Sequence, residues 1–131
     1  MASVWYPKAK ESFLKGDLDL DGVVRAVLID TGTYTYSAAH DNYDDLTGVV
    51  GAESGALASK TFTDGVFDAA DITFTAVTGA TVEAIVLFLD TGTASTDKLI
   101  CYIDSASSGL PVTPNGGDIN ITWNASGIAA L

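Results

Sequence analysis

The sequence predicts a mainly β domain, an antiparallel β-sandwich or flattened barrel with one short N-terminal helix. Three observations predict it. Short apolar runs rich in β-branched residues recur along most of the chain, with Gly, Asp, Asn and Pro between them. Two of these runs, ITFTA (72–76) and DINITWN (118–124), alternate apolar and polar residues with period two, the pattern of a strand with one dry and one wet face. Only one segment has clear helical spacing. Many short strands with frequent turns suit a sandwich or barrel.

The helical segment runs roughly over 4–15. Trp5, Ala9 and Phe13 recur every four residues, with Lys8, Glu11, Ser12 and Lys15 between them. Pro7 is tolerated because it falls in the first turn, and Gly16 suits the left-handed position that ends a helix. The run 37–46, SAAHDNYDDL, admits a second short helix capped by Ser37. Strands are expected at 23–30, 57–62, 72–76, 82–90, 99–104, 119–123 and 128–131. VEAIVLFLD (82–90) is more continuously apolar than the alternating runs, as a central strand or an interface strand would be.

With 131 residues the chain is the size of one domain, 1–131, with 1–16 as a helical arm. A domain of this size buries about two thirds of its unfolded surface and needs no staple to fold. The single cysteine, Cys101, lies in the apolar run KLICYID and reads as core, in keeping with synthesis in a reducing cytoplasm. MASVWYPKAK lacks a signal-peptide pattern, and no apolar stretch reaches the roughly 18 residues that span a bilayer. Seventeen acids against six bases give a net charge of −11. Such a surface repels phosphate backbones and acidic membranes, so neither nucleic acid nor membrane is expected as a partner. Hydrophobic residues make up 47% of the chain, which argues against disorder.

Four motifs bear on chemistry. DLDLDG (17–22) opens like an EF-hand loop, but the twelfth position of such a loop is a bidentate Glu and here it is Leu28. Arg25 stands at the ninth position, and VVRAVLID (23–30) reads as a strand. The better reading is a solvated turn into the first strand, and no metal site is assigned. Asp-Thr-Gly follows an apolar run twice, at Asp30 in VLIDTGT and at Asp90 in LFLDTGT. Aspartic proteases carry that signature on two carboxylates sharing one proton. A spacing of 60 residues fits neither a two-lobed enzyme, with lobes on the order of 100 residues, nor a dimer with one motif per chain. Asp, Thr and Gly are also ordinary turn residues. HDNYDD (40–45) would let His40 and Asp44 hold a metal at i and i+4 of a helix, or form a solvated acidic face. His40 is the only histidine, so no Ser-His-Asp or Cys-His arrangement is built, and no catalytic residue is assigned. Gly116 and Gly117 read as a tight turn, and the glycosylation sequons at Asn120 and Asn124 as chance.

Three blocks together resemble a group of small tailed-bacteriophage virion proteins. WYPKAKESFLKGDLDL resembles the family's opening, a short helix before a strand of the kind in VVRAVLIDTGTYTYSAAHDNYDDL. VLFLDTGTASTDKLICYID resembles its strand–DTG–strand hairpin, and LPVTPNGGDINITWNASGI its closing segment. The region 48–61 departs most from the pattern. The resemblance implies a β-rich structural protein of the particle, without cofactor or catalysis. Many members are capsid decoration, or cement, proteins, so the expected place is the capsid exterior of the virion, after synthesis in the bacterial host's cytoplasm. The expected partner is the major capsid protein of the same phage, and homo-oligomerisation follows naturally, with a trimer on a local three-fold axis as one form. A tail or head–tail connector component is the alternative.

The expected contact residues are Trp5, Tyr6 and Phe13 with one apolar sheet face, against the simpler reading that Trp5 staples the helix to its own core. Two rivals come from other classes. One is an aspartic-protease-like hydrolase using Asp30 and Asp90. The other is a carbohydrate- or host-binding module displaying Tyr34, Tyr36 and Tyr43 on loops.

Overall fold

A computed structural model of the chain describes residues 4–104 and 110–130. In chain order the elements are β1 (Val4–Trp5), α1 (Pro7–Lys15), β2 (Val24–Ile29), β3 (Val49–Val50), β4 (Val66–Phe67), β5 (Ile72–Phe74), β6 (Ala84–Leu89), β7 (Lys98–Ile103), β8 (Ile119–Ile121) and β9 (Ala129–Ala130). Five strands form one antiparallel sheet in the order β1-β7-β6-β2-β3. Two antiparallel ribbons, β4-β9 and β5-β8, complete the mainly β architecture, and among the described residues no sheet closes into a barrel.

The centre is β6, and its composition explains why. Ala84 to Phe88 are wholly buried, which requires cover on both faces of the sheet. Residues opposite each other in register share a face. Val27, Val86 and Tyr102 therefore lie on one side, and Ala26, Leu87, Cys101 and Trp5 on the other. The irregular segment after β2 covers the first side: Tyr43 packs on Phe88 at 4.7 Å between ring centroids, and Tyr36 on Tyr102 at 5.4 Å. The ribbons serve the second side. Trp5 donates its indole N–H to the Ala130 carbonyl at 2.7 Å, and Phe67, Phe74, Ile121 and Ile128 join the same core.

The helix starts later than its periodicity suggests. Val4 and Trp5 pair with Tyr102 and Cys101 of β7 instead. Pro7 excludes the helical conformation for the residue before it, and Tyr6 is accordingly extended at φ −61°, ψ 131°. Gly16 ends α1 in the left-handed region at φ 74°, with its N–H on the Phe13 carbonyl.

Two expected elements are absent. The run 37–46 forms only a 3-10 turn over Tyr43–Asp45, and Ser37 caps a separate turn through a bond from the Ala39 N–H. The Asp45 carboxylate takes the N–H groups of Asp41 and Asn42, so a side chain does locally what helix carbonyls would have done. The run 57–62 is no strand, because Ser59 adopts φ 54°. The adjoining stretch still guards the edge of β2: Ser54 and Leu57 donate N–H groups to Ala26 and Val24. At 72–76 the alternation stops at Phe74, since Ala76 is exposed at φ 49° and its N–H bonds the Asp118 carboxylate. DINITWN follows its pattern throughout, with Ile119, Ile121 and Trp123 buried and Asn120 and Thr122 exposed. The end of the last expected strand, residue 131, lies outside the described residues.

Candidate functional site

The two Asp-Thr-Gly motifs do not meet. In the β2–β6 pairing Val24 faces Leu89 and Ile29 faces Ala84. Asp30 therefore follows one end of the pair and Asp90 the other, about 20 Å apart along the strands. Within one copy they cannot share a proton. Each instead closes the same small turn, Asp30 Oδ1 accepting from Gly32 N–H and Asp90 Oδ1 from Gly92 N–H, both at 2.9 Å. The internal echo in the sequence is thus an echo of turn geometry. Asp90 has a further partner in Arg25, whose Nε lies 2.6 Å from Oδ2. The guanidinium and then the Gly92 N–H hold the Asp90 carboxyl below the usual carboxylate range.

The DLDLDG loop alternates instead of converging. Leu18 and Leu20 are buried, while Asp17, Asp19 and Asp21 face solvent. Asp19 Oδ1 accepts the Asp21 N–H at 2.9 Å. The loop's cation is a side chain: Lys60 Nζ donates to the Leu20 carbonyl at 2.8 Å and also to that of Gly22. His40 and Asp44 share no helix, and His40 Nδ1 lies 2.7 Å from the Tyr34 hydroxyl, which in turn bonds Tyr6. Among the described residues no group of three or more His, Cys, Asp or Glu is arranged to hold a metal.

The tyrosines expected on loops point inward. Tyr34 is buried, and Tyr36 and Tyr43 lie on the sheet. Burial pushes the Tyr6 hydroxyl and the Cys101 thiol well above their ordinary ranges, so neither ionises near neutrality. Asn120 projects from β8 and accepts from Thr73 Oγ1 at 2.7 Å, and Gly117 N–H closes the predicted turn on Asn115.

Of the three residues expected at a contact surface, Tyr6 is wholly internal and Trp5 is 6% exposed. Their burial assigns them to the protein's own core. Phe13 is half-buried and meets Trp5 edge-on at 5.3 Å. Trp5 and Phe13 nevertheless form one wall of an open groove of about 500 Å³. Leu18 and Leu20 supply its floor with Phe67, and Phe62 and Val66 form the facing wall. Phe62 is 45% exposed and stacks on Phe67 at 5.6 Å with the planes 10° apart. A tight turn at Asp64 and Gly65, both with positive φ, reverses the chain between Phe62 and Phe67. The alternation of DLDL was the one sequence signal for the floor. The Asp64-Gly65 dipeptide beside Phe62 is an ordinary turn signal, but nothing local shows that the turn leaves Phe62 half exposed over Phe67.

No protein-family model matches the sequence, and no curated protein matches it.

Proposed function

We propose that the chain is a non-enzymatic virion structural protein, a decoration protein that docks on the outer face of a bacteriophage capsid and stabilises the shell. The observation that carries the reading is the place of the resembling blocks in the fold. The strand–DTG–strand block is the central hairpin β6–β7, the opening block supplies Trp5 of β1 and α1 beside it, and the closing block supplies β8 and ends where β9 begins. Motifs that suggested catalysis serve as turns, and the Asp90 carboxylate is held by Arg25. The charge of −11 suits the outside of a shell better than a face against packaged DNA. Weak contacts become firm when many copies engage a repeating lattice together, so the major capsid protein is the natural partner and a trimer on a local three-fold axis a natural form.

The test is the copy number of this chain in purified particles of the phage that encodes it, by gel densitometry against the major shell protein. A number comparable with the shell protein's, with density for the chain on the exterior in a particle reconstruction, is expected. A few copies confined to the tail or neck would replace decoration by the connector role, and absence from the particle would end the proposal.

A further inference from the structure

We infer that the groove between α1 and the 62–67 turn is a binding site for a segment of another protein that presents a large apolar side chain flanked by lysine or arginine. The floor and walls are apolar: Trp5, Phe13, Leu18, Leu20, Phe62 and Phe67. Phe62, at 45% exposure, is one of only three large hydrophobic side chains strongly exposed among the described residues. A ring held that way, stacked flat on a buried Phe67, offers a rigid surface that loses little entropy when covered.

The rim sets the partner's sign. Asp19 and Asp21 line the groove, and Asp64 stands in the turn beside it. Among the described residues none of these carboxylates has an ion pair, and no cation lines the groove. Lys60 sets one positive charge beside Asp21 through its bonds to the Leu20 and Gly22 carbonyls, which leaves three carboxylates against one ammonium. An apolar anchor entering the groove thus brings its flanks against net negative charge, which favours basic flanks and penalises acidic ones. The same argument disfavours a second copy of this chain, since each copy carries −11. The inference stands or falls independently of any place in a virion.

The test is selection of the purified chain against a display library of random peptides, followed by fluorescence anisotropy with the best peptide. The expected consensus is a bulky apolar residue beside Lys or Arg. Phe62→Ala should weaken binding at least tenfold. The double variant Asp19→Asn, Asp21→Asn keeps the side-chain acceptor of the turn and should weaken binding about three- to tenfold, with most of the effect lost at high salt. Thermal melting checks that each variant is folded. A consensus without basic residues, no enrichment at all, or affinity indifferent to both variants would overturn the inference. So would self-association in sedimentation that Phe62→Ala abolishes, because the groove would then belong to a second copy.

Discussion

At the scale of single residues, two glycines separate conformational strain from crowding. Gly16 and Gly48 both have positive φ, at 74° and 65°. A Cβ on Gly16 would meet nothing within 4 Å, whereas on Gly48 it would lie 2.8 Å from the Asp30 carbonyl and 3.0 Å from Thr33 Cβ. Gly16→Ala should cost about 1 kcal/mol, the left-handed penalty alone. Gly48→Ala should cost roughly 2–4 kcal/mol, because backbone must also move. Urea denaturation of both variants checks the difference, and equal losses would mean the 48 turn yields freely. Asp90 gives a second residue-scale prediction. Its carboxyl is held low by Arg25 and the Gly92 N–H, so the stabilisation is present above the ordinary carboxylate value of 3.8 and is lost as pH falls through the lower folded value. Asp90→Asn keeps an acceptor for Gly92 and removes the charge facing Arg25. Its melting temperature should lie below that of the unsubstituted chain at neutral pH, and the gap should close as pH falls through that lower folded value.

At the scale of elements, the N-terminal segment is the clasp of the fold. β1 pairs with β7, and Trp5 reaches across to the Ala130 carbonyl of β9. Trp5→Phe keeps most of the apolar area and deletes one hydrogen bond, worth about 1 kcal/mol. Hydrogen exchange should therefore quicken first at β9 and its partner β4, while β2, β6 and β7 keep their protection. Uniform loss across the sheet would show that Trp5 acts through packing instead. The elements also show where a sequence is legible. β8 is readable because water on one face and core on the other leave a period of two in its residues, and β6 because burial on both faces leaves an unbroken apolar run. The late start of α1 was readable only in part: the stripe Trp5–Ala9–Phe13 is real, but Pro7 forbids a helix across it. The 37–46 segment was misleading because Asp45 and Ser37 bond neighbouring backbone as cheaply as a helix would. The groove was least legible, since it joins residues 5, 13, 18, 20, 62 and 67, whose proximity is decided by strand pairing.

At the scale of the whole molecule, charge separates general screening from specific binding. Seventeen acids against six bases make the folded chain repel itself, so added salt should stabilise it. The exposed pairs Lys8–Glu11 and Lys15–Glu11 weaken in salt, but such exposed pairs contribute little and do not reverse the trend. Between low ionic strength and about 0.5 M NaCl the melting temperature should rise by ~3–6 °C, corresponding to about 1 kcal/mol. Calcium then tests whether the acidic loop at 17–22 is more than part of that field. A site present only in the folded state would add a rise in melting temperature that grows with calcium concentration. Lys60 already occupies the carbonyls of Leu20 and Gly22, and the aspartates point outward, so calcium and magnesium chloride at equal concentration should shift the melt equally. A surplus with calcium, enlarged in Lys60→Met, would show that the ammonium merely stands in for an ion.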